Sequence, residues 1–183
     1  MTFGPNGFRV LTTKTSTIQR MYLDGNTAVA VGPGRPVALS SGSSTADKLA
    51  MAIPLTAYSA NYIGIVLAVY NSKGAEVNYL PASTVGYVDV ECDPFAELVV
   101  VTGANSTALT QAAIGASADM VGGAVDTVTG IPADYLSETT GTTGKQFIIE
   151  RLYPSPDNAW GSHYIKLVVR AATHVYIAAV AGI

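Results

Sequence analysis

The stretches AEVNYL (residues 75–80) and VGYVDVE (residues 85–91) set apolar and polar side chains in alternation, with only Pro-Ala-Ser-Thr between them. A period of two sends successive side chains to opposite faces of an extended chain, so such a stretch reads as a half-buried strand of a sheet. The same texture fills most of the sequence. TAVAV (27–31) runs into the turn GPGRP, and PVALS (36–40) follows it. YIGIVLAVY (62–70) is a long run of β-formers, with Gly64 at a place suited to a bulge. ELVVVT (97–102), QFIIERLY (146–153), YIKLVVR (164–170) and THVYIAAV (173–180) continue the pattern, and GAVDTV (123–128) suggests one more short strand. STADKLAMAI (44–53) fits either a helical turn or a strand. STALTQAAIG (106–115) is the best helix candidate, with Ser106 or Thr107 as its cap and Gly115 as its stop. Residues 119–145 are rich in Gly and Thr and read mainly as loop. Many short strands without regular helices between them predict an all-β fold, mainly an antiparallel barrel or sandwich, with at most one or two short helices. No internal repeat is present.

Length and charge then narrow the function classes. At 183 residues the chain fits a single domain with a substantial core. Charged residues make up 13%, about half the ~25% of typical soluble domains, and ten Tyr stand against five Lys. Interfaces favour Tyr and disfavour Lys and Glu, so this balance suggests a surface covered by protein neighbours. A net charge of −3 gives no global basic field, which argues against a nucleic-acid partner. One cysteine, Cys92, excludes an internal disulfide and a multi-cysteine zinc site. The N-terminus lacks the pattern of a signal peptide. Residues 49–72 are uncharged, but Pro54, Ser59 and Asn61 interrupt them well short of the ~20 apolar residues a membrane span needs. They read as two buried segments joined by a turn, in a soluble chain without a membrane partner.

The first 23 residues stand apart in charge. They carry Arg9, Lys14 and Arg20 with no acid, whereas seven basic and thirteen acidic residues follow from Asp24 onward. A positive segment ahead of an acidic body suggests an arm that lies on another molecule, although FRVLTTKTSTI is also rich in β-formers and suits an edge strand. On the arm reading the chain divides into an extended arm (1–23) and a single β-rich body (24–183). Phe3, Phe8 and Tyr22 are then the apolar anchors of a partner-binding set, and Arg9, Lys14 and Arg20 its cations.

Motifs for chemistry are sparse. TTGTTGK (139–145) spaces its glycines wrongly for a phosphate loop and lacks the hydroxyl after the lysine. Asp89, Glu91 and Asp93 share one face of an extended strand, which suits a cation or a pair of catalytic carboxylates but is more simply a solvated face. If those acids have a partner, the basic arm of a neighbouring subunit is the obvious one. Cys92 lies between acids that would raise its thiol pKa, the wrong direction for a nucleophile. His163 and His174 match no metal-ligand spacing, and no GxSxG elbow places a serine. In RLYPSPDNAWGSHYIKLVVRAATHVY (151–176), Ile165, Leu167 and Val169 alternate with Tyr164, Lys166, Val168 and Arg170. Prolines, Asp157, Asn158 and Gly161 supply a turn before them, so the segment reads as a hairpin with Trp160 covering the end of the barrel. The expectation is a protein that is not an enzyme, with no catalytic, metal or cofactor-binding residues.

Several phrases resemble one group of virion proteins. MTFGPNGFRV looks like the NGFRP start of tailed-phage structural proteins, with Val10 where those carry Pro. SPDNAWGSHYIKLVVRAATHVY is similar to their closing stretch, with Lys166 where an aromatic is common, and IGIVLAVY and YVDVECDPFAELVVVTG resemble their central strands. The resemblance covers both ends and the middle in scattered pieces, and none of its motifs is catalytic. It implies a head decoration, or cement, protein: a β-rich body on the outer capsid surface whose partner is the major capsid protein. Self-association follows from the composition, and threefold capsid junctions favour a trimer over a dimer. A tail, neck or fibre component of the same virion shares this composition, and a small β-barrel hydrolase is the alternative from another class.

Overall fold

The computed structural model describes residues 6–15, 17–43, 49–104, 106–142 and 144–177, and among them the fold is all-β. Two six-stranded sheets carry it. The first contains β2 (Ile18–Asp24), β3 (Pro36–Ser43), β4 (Ala50–Pro54), β5 (Tyr62–Asn71), β6 (Glu76–Val77) and β7 (Val85–Glu91), in the order β3-β4-β2-β7-β5-β6. A further pairing of β3 with β5, with Val37 opposite Gly64, closes five of these strands into a barrel. The second contains β1 (Arg9–Thr12), β8 (Glu97–Val101), β9 (Ser117–Val121), β10 (Tyr135–Gly141), β11 (Phe147–Leu152) and β12 (Lys166–Ala171), in the order β1-β8-β12-β11-β9-β10. All its strand pairs are antiparallel, and a lone parallel bridge from Thr102 to Leu136 brings the end of β8 back to β10.

Two apolar clusters follow from this layout. Met21, Leu23, Val37, Ile63, Val66, Val69, Val88 and Val90 fill the barrel. Leu98, Val100, Phe147, Ile149, Leu167 and Val169 face a second core, which Phe8, Tyr62 and Ile65 complete from the other side. The Phe8 and Phe147 rings lie 4.8 Å apart, and Tyr62 meets Phe147 edge-on at 5.4 Å. The start of β5 serves both cores. Residues 62–66 are buried without alternation because Ile63 and Val66 join the barrel cluster while Tyr62 and Ile65 join the other. A register shift after Val66 restores the alternation and leaves Leu67 exposed.

Gly64 lies at the closing pair and also against β7. A Cβ built there would lie 2.0 Å from the Glu91 carbonyl oxygen, so β5 approaches the end of β7 this closely only because the residue has no side chain. The irregular pairing expected at this glycine is present, since β3 shifts register against β5 between Val37 and Ala38.

Several sequence expectations hold. Residues 49–72 do form two segments, β4 and β5, joined by a turn, and no helix among the described residues is long and apolar enough to cross a membrane. β11 and β12 form the expected hairpin, but Trp160 packs against the core of the second sheet instead of covering the end of the barrel. Asn158 closes its long connection by donating from Nδ2 to the carbonyls of Tyr153 and Lys166, each at 2.7 Å, and accepting the Lys166 N–H at 2.9 Å.

Others need correction. STALTQAAIG holds one 3-10 turn at Gln111–Ala113, without a side-chain cap, because neighbouring strands take up its apolar residues Leu109 and Ala113. TAVAV and GAVDTV are not strands. Val31 and Val125 make only isolated bridges, to Leu80 and Pro132. THVYIAAV gives one bridge between His174 and Ile177, and residues 178–183 lie outside the described residues. Residues 6–15 and 17–24 form no separate arm. Phe8 is a core residue, β1 is the edge of the second sheet, and β2 sits inside the barrel wall between β4 and β7. The cause is a short alternation, Met21 and Leu23 inward against Arg20 and Tyr22 outward, which has the period of a half-buried strand.

Candidate functional site

The three acids of β7 and its turn find their partners in their own chain. Asp89 lies opposite Arg20, whose Nε and Nη2 donate to its two oxygens at 2.8 and 2.9 Å. The guanidinium also stacks 4.1 Å from the centre of the Tyr70 ring. Arg20 and the Tyr70 hydroxyl together hold the Asp89 carboxyl below its ordinary range. Glu91 and Asp93 are buried, so these residues do not make the solvated face the sequence suggests. Glu91 accepts the amides of Thr17 and Asp93, while Asp93 accepts those of Lys14, Thr15 and Phe95. Burial alone would raise the Asp93 pKa, but these amides outweigh it and the carboxyl is held low. The basic segment is thus the partner of the acids within one subunit, largely through backbone amides that no charge pattern reveals.

The proposed partner-binding residues therefore separate. Phe3 lies outside the described residues, and Phe8 is buried in the core, where no partner reaches it. Arg20 and Tyr22 share the outer wall of the barrel. Tyr22, Tyr87 and Tyr70 stand in register across β2, β7 and β5, with the Tyr22 and Tyr87 rings 5.8 Å apart. Lys14 lies beside Asp93 at the barrel rim.

Arg9 occupies a different place. Two clefts flank β1, and Asn6, Arg9 and Val10 line both. One opens on the outer face of the second sheet, bounded by Leu11, Val99, Val101, Tyr153 and Lys166. The other runs along the outer edge of β1 towards Leu67 and Ile131. Their volumes, about 180 and about 330 Å³, fall below or at the bottom of the ~300–1,000 Å³ of small-molecule pockets, so they suit side chains of a partner better than a whole ligand.

Sequence reasoning missed two buried polar constellations, because their members lie far apart in the chain. Arg35 and Asp134 form a bidentate pair with distances of 2.7 and 3.1 Å, and both side chains are fully enclosed. Arg35 also donates to the carbonyls of Ala30 and Gly123, and Asp134 accepts the Gly123 amide. The pair ties the start of β3 in the barrel to the start of β10 in the other sheet. In the second constellation, Glu138 Oε1 lies 2.7 Å from Nδ1 of the partly exposed His163, and Oε2 accepts the Ser106 amide. Among the described residues, no three of His, Cys, Asp and Glu gather as ligands for an ion.

Burial dominates at Cys92 and His174. It pushes the Cys92 thiol up to about 12, with Glu91 adding to the effect, so the direction expected from the flanking acids holds and its main cause is desolvation. His174 is depressed by burial, against the opposing effects of the Ile63 carbonyl and Asp93. Its ring lies 2.8 Å from the Ile63 oxygen through Nε2, and its Nδ1 accepts the Tyr176 amide, a pattern that requires the neutral imidazole. The stability it contributes is complete above the unfolded pKa near 6.5 and is lost as pH falls from there towards the lower native value. Thermal unfolding between pH 7 and 5 should show this as a loss of up to about 1.4 kcal/mol per pH unit, which His174→Gln flattens. An unchanged pH profile in the variant would refute the assignment.

Comparison with known proteins finds no family model that matches the chain and no match among curated proteins.

Proposed function

We propose that this chain is a decoration protein of a tailed-phage head, a structural part rather than an enzyme, which binds the outer capsid surface and stabilises contacts between major capsid subunits. The observation that carries this reading is how the surface charge is used. Five of the ten Lys and Arg residues, Arg20, Arg35, Lys145, Arg151 and Arg170, are already paired with carboxylates of the same chain. Large apolar side chains such as Ile18, Phe95 and Val128 are instead more than half exposed. A β body with at least half of its cations paired internally and several large apolar residues outward suits burial among protein neighbours. The resemblance of several phrases to virion proteins is what points to capsid subunits as those neighbours. Each copy adds a modest contact, and the lattice multiplies them. Binding only the assembled shell shifts the equilibrium towards it by mass action. The copies associate with one another, as trimers in preference to dimers.

Sedimentation of purified protein with emptied, expanded heads tests this. Many copies should pellet per particle, image reconstruction should place them on the shell, and the decorated heads should resist heating better than bare ones. Absence from heads, or localisation to the tail, neck or fibres, would overturn the decoration reading.

A hydrolase is the second reading, and the Glu138–His163 pair favours it. A buried carboxylate on Nδ1 of a histidine is the orienting half of a nucleophilic triad, and Ser106 reaches this pair through its amide on Glu138. Turnover of an ester or glycan substrate that disappears in a folded His163→Ala variant would establish it.

A further inference from the structure

The chain has five arginines. Four of them, Arg20, Arg35, Arg151 and Arg170, hold a carboxylate of their own chain within salt-bridge distance. Among the described residues Arg9 is the exception, and it stands where both clefts beside β1 meet. Neither cleft has an Asp or Glu in its lining. The site is therefore a positive concavity on a molecule whose net charge is −3. Among the described residues β1 is also the terminal strand of its sheet, paired with β8 on one side only. Val10 turns towards the core, while Leu11, at a register shift, is 39% exposed. Across the second cleft Leu67 and Ile131 are exposed to a similar degree.

We propose that this edge is a docking site for an extended, carboxylate-bearing segment of the neighbouring capsid subunit. The segment lies along β1, sets an Asp or Glu against Arg9, and covers Leu11 and Leu67 with apolar side chains. Main-chain pairing along an open strand gives affinity, and alternate side chains entering the flanking clefts give selectivity. A carboxylate is the fitting occupant because the planar guanidinium binds it bidentately, and closure of the cleft strengthens the pair. The inference rests on the decoration reading and adds to it the surface used and the chemistry of the partner segment.

Two measurements on purified protein and emptied heads test it. A photo-crosslinking residue at position 11 should join the chain to a single stretch of the major capsid subunit, one with an acidic residue near the linked position. Arg9→Glu should keep the wild-type unfolding temperature while binding weakens on the order of tenfold or more. If the wild-type protein does not bind heads, the decoration reading and the docking site fall together. If it binds and Arg9→Glu binds equally well, the docking site alone falls. Crosslinking to a second copy of this chain, or to a capsid stretch without acids, overturns it as well.

Discussion

Replacing Asp134 with alanine is expected to cost about 3–5 kcal/mol, enough to unfold a protein of ordinary stability at physiological temperature. The carboxylate neutralises a guanidinium that water does not reach, and alanine leaves that charge enclosed with only carbonyl partners. Arg35→Ala should be nearly as damaging, since it strands the carboxylate. The pair itself contributes less than either single loss suggests, because its desolvation offsets most of its attraction. The double variant Arg35→Met with Asp134→Leu should therefore recover most of the lost stability. Urea unfolding of the four proteins measures these differences. Single variants that lose less than about 1 kcal/mol would mean that the barrel and the second sheet do not depend on this tie.

Gly64→Ala carries the next largest expected effect, a loss of about 3 kcal/mol or more, from a single methyl group. The methyl would sit 2.0 Å from the Glu91 carbonyl oxygen, a backbone atom that β7 pairing holds in place. Elsewhere the exchange of glycine for alanine stabilises slightly by restricting the unfolded chain, so the sign itself discriminates. A neutral or stabilising result in thermal unfolding would mean that β5 and β7 do not approach each other as described.

How far the sequence carries these conclusions varies with the range of the interactions. The all-β class was legible because β2, β7 and β8 keep period two, with Met21 and Leu23, Val88 and Val90, and Leu98 and Val100 facing inward. The hairpin at β11 and β12 was legible because the turn residues lie between its strands. The helix expected at 106–115 fails because propensity there yields to packing against other strands. The arm was misjudged because charge is a poor guide to burial: amides of Lys14, Thr15 and Thr17 satisfy Asp93 and Glu91, and backbone amides leave no mark on composition. Removing residues 1–20 would take Phe8, all of β1 and part of β2 from the body. Arg35 with Asp134 and Glu138 with His163 were invisible, since each pair joins residues many positions apart that only the topology brings together.

The interleaving of early and late strands also governs how the chain reaches this state. β1 pairs with β8, Phe8 packs against Phe147, and the Val175 amide bonds back to Tyr62. On a ribosome, which adds roughly 5–20 residues per second, the first strands therefore wait for partners that have yet to be made. Loop closures of that span slow folding, and the unpaired edges of β1 and β2 stay open to other nascent chains meanwhile. Synthesis at high local concentration would then favour aggregation or chaperone capture over spontaneous folding, and slower translation near the C-terminus would bring no relief until the last strands emerge.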